Sequence, residues 1–345
     1  MEKNINRNVG LDVLRVWMCF GVILIHFWLP DSTTNDYLKY CIVQTSQLAV
    51  PVFMLVSFIV VSKPELGFDM PLDRFKKRLN RLCLPILIWA IVYAFVFLIA
   101  QLVLNKEYNI TPYAFIRQIF IGHEYNKPMW FQNTLFYFTC IFFVLYKLYD
   151  NVKRFALSIL ICVPFILQYT GYNHVLLDGL PENVSIPCGR FINMLPYACF
   201  GILLVQSGIL GRYKDSRYRN HVIIVMLLVF ALVTTLITPW SQDTFGSCGF
   251  RLLVMTVSLV CVGYLLPMEK MKTWIYSAIQ FLSKYCLGVY CIHNMVGGFY
   301  NQIIVSRFNL AQGSVTECII IFALSISLCW LISYIPIKTI KKIVS

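Results

Sequence analysis

Charge is what this chain has least of. Only 13% of its 345 residues are Asp, Glu, Lys or Arg, about half of the roughly 25% found in soluble domains. Hydrophobic residues reach 59% and aromatics 15%. That balance excludes a soluble globular protein and marks an integral membrane protein before any motif is considered. The 13 cysteines include no CxxC and no Cys/His metal spacing, so neither a metal centre nor a disulfide framework is expected. Most fall inside apolar runs, where Cys behaves as a small apolar residue. Cys41, Cys188 and Cys248 lie near the outer side and leave room for one disulfide. Also missing are a Gly/Ser linker, a composition shift, an internal repeat and a small-residue cleavage site after the first apolar run. These absences predict one helical domain over residues 1–345 with a retained first helix. The lack of a repeat weighs against a transporter built from inverted halves.

What is present is a series of apolar runs, each long enough for a hydrocarbon core of about 30 Å. About ten transmembrane helices are predicted, near 10–29, 40–62, 82–104, 129–149, 155–173, 189–209, 220–238, 248–267, 281–301 and 316–337. With the N-terminus in the cytoplasm, the Lys and Arg fall mostly on one side, at 63–81, 147–154, 212–219, 270–284 and 338–342. This positive-inside pattern predicts both termini cytoplasmic in an all-α, multi-pass protein. The net charge of +13 is thus a topology signal with affinity for membrane lipid, and nucleic acid is not an expected partner. Two outer loops, about 105–128 and 174–188, carry polar groups that could shape an acceptor site or be solvated connections.

Arg15 and His26 stand on the first span, eleven residues apart, in a stretch with little else polar. Eleven steps of about 100° make three turns plus about 20°, so both side chains share a stripe some 16 Å long. Ionisable groups inside a span face a bundle interior or a cavity and serve a function. The plainer alternative is a snorkelling Arg and a core His bonded to a backbone carbonyl.

Between spans two and three runs Asp73-Arg74-Phe75-Lys76-Lys77-Arg78-Leu79-Asn80-Arg81, before Pro85. If helical, Arg78 and Arg81 share a face, and paired guanidiniums suit the phosphates of a nucleotide-type cosubstrate, with Arg74 beside them. The competing reading is a topology-setting charge run in an inner loop. Near the C-terminus, Tyr290 and His293 also share a helix face, following Gly288, which permits close helix approach. His293 reads either as a general base or as a satisfied structural histidine. Trp130-Phe131-Gln132-Asn133 opens span four, and Val50-Pro51-Val52-Phe53 leads to Ser57 in span two.

Taken in order, these pieces resemble membrane acyltransferase family three, the polytopic O-acyltransferases of cell-surface polysaccharides. Arg15 and His26 resemble its first-span signature. Val50 to Ser57 resembles its aromatic-rich motif ending in Ser-Gly, and Arg78 to Pro85 its basic motif. Trp130-Phe131, Pro196 to Phe200-Gly201, and Ser283 through Tyr285, Gly288, Tyr290 and His293 resemble three later motifs. Phe58 stands where the family often has Gly, and Cys291 where Leu is usual; the esterase-like domain of some members is absent.

The resemblance implies acyl transfer, most often acetyl from acetyl-coenzyme A, to a sugar hydroxyl at a bacterial cytoplasmic membrane. His26 would be the base, with Arg15 positioning the acyl donor. Arg74, Arg78 and Arg81 would hold its phosphates, and Tyr290 and His293 would orient the acceptor or stabilise the oxyanion. Two alternatives remain: a transporter or flippase of a sugar-lipid or small anion using the same groups as a pathway, and a membrane-embedded binding protein that needs neither histidine.

Overall fold

The structure, a computed structural model, describes residues 8–29, 36–62, 70–104, 110–122, 126–148, 150–169, 177, 179–237, 249–268, 271–308, 312–336 and 343–344. Among these the regular structure is entirely helical, as the composition requires. The chain divides into two compact units, each discontinuous in sequence: residues 1–68 with 150–284, and residues 69–149 with 285–345.

The first unit contains α1 (Val9–Phe27), α2 (Asp36–Gln47), α3 (Ala49–Val61). Helices α4 (Leu72–Leu104), α5 (Pro112–Phe120) and α6 (Trp130–Leu145) belong to the second unit. The chain then returns to the first with α7 (Asp150–Tyr169), α8 (Glu182–Gln206), α9 (Ile209–Lys214), α10 (Arg219–Leu232) and α11 (Phe250–Leu265). Helix α12 (Thr273–Tyr300) starts in the first unit and ends in the second, which α13 (Val315–Ile332) completes.

Among the described residues, six stretches are long and apolar enough to cross a membrane: Val9–Phe27, Ile42–Val61, Leu72–Leu102, Val184–Gln206, Thr273–Phe308 and Val315–Ile332. Trp130–Leu145, Arg219–Thr235 and Phe250–Leu265 are apolar but shorter. Span two, expected as one helix over 40–62, is interrupted at Leu48. The reason is Pro51, which has no N–H to give the Gln47 carbonyl and whose ring crowds it. Leu48 keeps helical angles, φ −68° and ψ −16°, so the interruption leaves the course of the chain nearly straight.

The expected inner loop before span three is instead the first part of α4, whose 33 residues run unbroken through Pro85. Its faces are sorted against the habit of soluble helices. Leu87, Ile91, Phe95, Leu98 and Leu102, spaced four, four, three and four apart, form one exposed stripe, with Phe95 61% accessible. Ile86, Trp89, Ala90 and Tyr93 form the buried face. An apolar stripe of this length needs lipid against it.

Lipid is as apolar as leucine, so helix association depends on close packing and on small residues. In the first unit α1 packs on α3 and α11, and α3 on α8. The α1–α11 crossing is set by two glycines. A Cβ on Gly10 would lie 1.8 Å from the Gly263 carbonyl oxygen, and one on Gly263 would lie 2.4 Å from Leu14. Phe58, in the position where Gly is usual, is fully buried. It lies against Gly201 of α8, where an added Cβ would meet the Leu55 oxygen at 2.6 Å and Phe58 at 3.0 Å. The small residue at this contact is thus supplied by α8.

Gly10→Ala is expected to lower stability by about 1–3 kcal/mol or more through overpacking, read as a fall in the thermal midpoint in detergent. Gly211→Ala, whose Cβ meets nothing within 4 Å, should leave that midpoint unchanged. Equal midpoints for the two variants would argue against the crossing.

Candidate active site

The first turn of α1 is built to hold a buried carboxylate. Asn8 caps the helix, its side-chain oxygen accepting from the Leu11 N–H at 3.1 Å. Its amide donates to the Tyr264 carbonyl at 2.9 Å, which ties the helix start to the end of α11. One turn in, Asp12 is 1% exposed. Its Oδ1 accepts from the Ser283 hydroxyl at 2.8 Å and from the Arg15 guanidinium at 3.1 Å. Arg15 keeps 30% of its side chain accessible. It is therefore not a lone snorkelling cation; the carboxylate one turn below holds its head. Sequence reasoning passed over Asp12. The available signal was its i, i+3 spacing to Arg15, the reach of a helical ion pair.

The stripe that joins Arg15 to His26 is helical throughout, as expected. Between them Met18, Cys19 and Val22 are buried and apolar. His26 itself falls in the last turn of α1 and is exposed. It thus stands at the helix end and not in a bundle interior, because the packed part of α1 stops near Ile23.

In the second unit, Arg74, Arg78 and Arg81 lie on the first three turns of α4, spaced i, i+4 and i+7 on one face. Arg78 is anchored: its Nε donates to Thr139 Oγ1 at 2.8 Å, and that buried hydroxyl donates onward to the Leu135 carbonyl at 2.7 Å. Arg74 is half-buried and Arg81 exposed. Basic residues in the opening turns of a helix oppose its macrodipole, so a bound anion would relieve both that conflict and the repulsion among the guanidiniums.

The same unit gathers a polar network at the far end of α12. The Cys291 carbonyl accepts from the Tyr93 hydroxyl at 2.8 Å and the Asn126 amide at 2.9 Å. Cys291 Sγ accepts from the Gln132 amide at 3.1 Å, a partner that the usual Leu would lack. The Tyr290 hydroxyl donates to the Pro128 carbonyl, and the Phe131 ring meets Tyr290 edge-on at 5.6 Å. Asn133 donates to the Ile119 carbonyl at 2.7 Å, and Asn294 to Asn126 at 3.4 Å.

The segment expected as an outer loop over 105–128 supplies much of this. It contains α5, and Gly122 closes it with φ +73°, where an added Cβ would lie 2.5 Å from the Trp130 nitrogen. Of the polar residues that the two expected outer loops carry, His123, Glu124, His174 and Asp178 lie outside the described residues, as do the side chains of Glu182 and Asn183.

His293 is fully buried. Its Nδ1 lies 2.9 Å from the Tyr290 carbonyl and 3.2 Å from that of Val289. A carbonyl only accepts, so Nδ1 carries the proton and Nε2 is the basic nitrogen. One ring nitrogen of this histidine is thus bonded to the backbone of its own helix.

Among the described residues no group of three His, Cys, Asp or Glu is arranged to hold a metal. Cys188 is a free thiol; Cys248 and the Cys41 side chain lie outside the described residues.

Arg15→Ala removes the charge that offsets a buried carboxylate and is expected to destabilise by about 3 kcal/mol. Adding Asp12→Asn should recover part of that loss, measured by thermal midpoints in a double-mutant cycle. Strictly additive effects would mean the two side chains are not coupled.

Neither the curated proteins nor the solved structures gave a match to the chain. A family model described as "Acyltransferase domain" matches residues 8–334, beginning at the Asn8 cap of α1 and ending just beyond α13. The chain therefore belongs to membrane acyltransferase family three.

Proposed function

We propose that this membrane acyltransferase moves an acetyl group from acetyl-coenzyme A to a hydroxyl of a cell-surface or exported sugar, at a bacterial cytoplasmic membrane with both termini inside. The observation that carries this reading is on α1. There the Asp12 carboxylate holds the guanidinium of Arg15, on the helix that ends in an exposed His26.

A thioester exchanges its acyl group with a hydroxyl when three needs are met. The hydroxyl must lose its proton as it attacks, the carbonyl oxygen must be stabilised as it gains charge, and the thiolate must leave. His26 suits the first need. Its exposure admits an acceptor, and its imidazole takes the hydroxyl proton as the new C–O bond forms. The carbonyl ends of α1 carry partial negative charge, which favours the imidazolium at that moment. The C–S bond then breaks, and the imidazolium returns its proton to the departing coenzyme A thiolate.

Arg15, restrained by Asp12, orients the donor or meets the developing oxyanion. Arg74, Arg78 and Arg81 are the phosphate-binding set: three guanidiniums on one helix face, of which Arg78 is already immobilised on Thr139. Tyr290, whose hydroxyl proton is engaged by the Pro128 carbonyl, acts as a positioning residue for the turn before α6.

Membranes carrying the wild type should release coenzyme A from labelled acetyl-coenzyme A in step with labelling of glycan. His26→Ala should reduce that transfer by about 10²–10⁴-fold while its thermal midpoint stays near wild type. Arg78→Gln with Arg81→Gln should act mainly on KM for the donor. Full transfer by folded His26→Ala would remove the base assignment. Solute movement by the wild type without thioester consumption would put a transporter or flippase in place of the transferase.

A further inference from the structure

The turn between α9 and α10, in the first unit, borders an open surface cavity of about 430 Å³ lined by Lys214, Asp215, Ser216, Arg217, Arg219 and Asn220. Nothing in the acyl-transfer reading uses it. Three cations and one carboxylate surround it, a surplus of two positive charges in a space large enough for a phosphate and the groups attached to it.

Two of the three cations are held in place by the protein. The Arg217 guanidinium lies 4.8 Å above the Tyr218 ring centroid and donates to the Tyr218 hydroxyl at 2.6 Å. The Arg219 guanidinium donates to the Lys214 carbonyl at 3.3 Å. The turn itself is braced by Ser216, whose hydroxyl accepts from the Tyr218 N–H at 3.1 Å. Restrained guanidiniums lose little freedom on binding and present their donors in a planar fork that fits phosphate. Arg219 and Asn220 are also the first two residues of α10, so the positive end of that helix dipole adds to the field in the cavity.

What lies beyond the cavity indicates the source of the phosphate. One to two turns further along, α10 exposes Ile224, Val225, Leu227 and Leu228. At roughly 1.5 Å per residue, Ile224 is about 8 Å along the axis from Arg219. A cationic cavity followed at that distance by an exposed apolar helix surface matches a lipid, with its headgroup phosphate beside its acyl chains. The turn also belongs to the basic segments that the positive-inside pattern assigns to the cytoplasmic face, where anionic lipids concentrate.

We propose that this cavity binds a phosphate group, presented by an anionic membrane lipid whose acyl chains lie along α10. The proposal is independent of the acyl-transfer reading and would survive its failure.

The test uses the full chain in neutral detergent, with phosphatidylglycerol, phosphatidylcholine or inorganic phosphate as probes. Bound lipid is counted by native mass spectrometry, and thermal midpoints report folding. Wild type should retain phosphatidylglycerol over phosphatidylcholine. Arg217→Gln with Arg219→Gln should weaken that retention by about fivefold for each guanidinium lost. Asp215→Asn, at an exposed side chain, should strengthen it by a similar factor. If the double variant does not fold, Asp215→Asn alone decides the matter. Displacement of the lipid by millimolar inorganic phosphate would identify the phosphate as sufficient. Retention against it would identify the intact lipid as the ligand. Absence of any preference for phosphatidylglycerol, or equal retention by wild type and the folded variants, would overturn the proposal.

Discussion

A carboxylate inside an apolar helix bundle is tolerated only with partners, and Asp12 is where this chain meets that constraint most directly. A single oxygen of Asp12 receives the Ser283 hydroxyl and the Arg15 guanidinium. Within the first unit the consequence is geometric as well as electrostatic. α1 must present its first turn to the start of α12, and the Gly10–Gly263 crossing and the Asn8 cap hold α11 in the same place. Arg15 then has a defined head position while a third of its surface stays open. An arginine restrained from below and accessible from above can act on a ligand. A freely snorkelling one would have to be ordered by that ligand first.

The second unit meets the same constraint with amides. Donors from α4, from the turn before α6 and from α6 itself converge on one residue, Cys291. Carbonyls in a regular helix already accept one bond, and each has a second lone pair. At position 291 the Tyr93 hydroxyl and the Asn126 amide share that spare capacity. The network makes the end of α12 a rigid platform for Tyr290 and His293. It also explains how Cys fits where Leu is usual: the sulfur accepts from an amide that a leucine would leave without that partner. Arg78 on Thr139 repeats the pattern near the other end of α4.

Much of the architecture was legible in the residues. Composition alone requires helices, and helical spacing alone puts Arg15 with His26, Arg78 with Arg81 and Tyr290 with His293 on shared faces. Where the reading fell short, the reasons are local and physical. Pro51 lies inside span two as read, and its missing N–H adds a local break at Leu48 within the apolar stretch Ile42–Val61. Residues 73–81 read as an inner loop before span three, yet α4 begins at Leu72 and runs on through Pro85, since one lost hydrogen bond is tolerable in a helix whose neighbours pack on it. The loop over 105–128 reads from sequence either as part of an acceptor site or as a solvated connection. Its contribution comes from buried amides at 118 and 126 that no periodicity marks.

Class and inventory are readable from the residues alone: a multi-pass helical membrane protein, the ordered motifs of an acyltransferase family, and the titratable groups that chemistry could use. Those follow from hydropathy and helical period, which are properties of neighbours along the chain. The pairing of Asp12 with Arg15 and Ser283, the exposure of His26 at a helix end, the contact of His293 Nδ1 with the Tyr290 carbonyl, and the packing of Phe58 into the space left by Gly201 emerge only in three dimensions. Asp12 and Ser283 are separated by 271 positions, and Phe58 and Gly201 stand on different helices. A hydrogen bond or a van der Waals contact depends on distances of a few ångströms in space, and hydropathy along the chain carries no information about those.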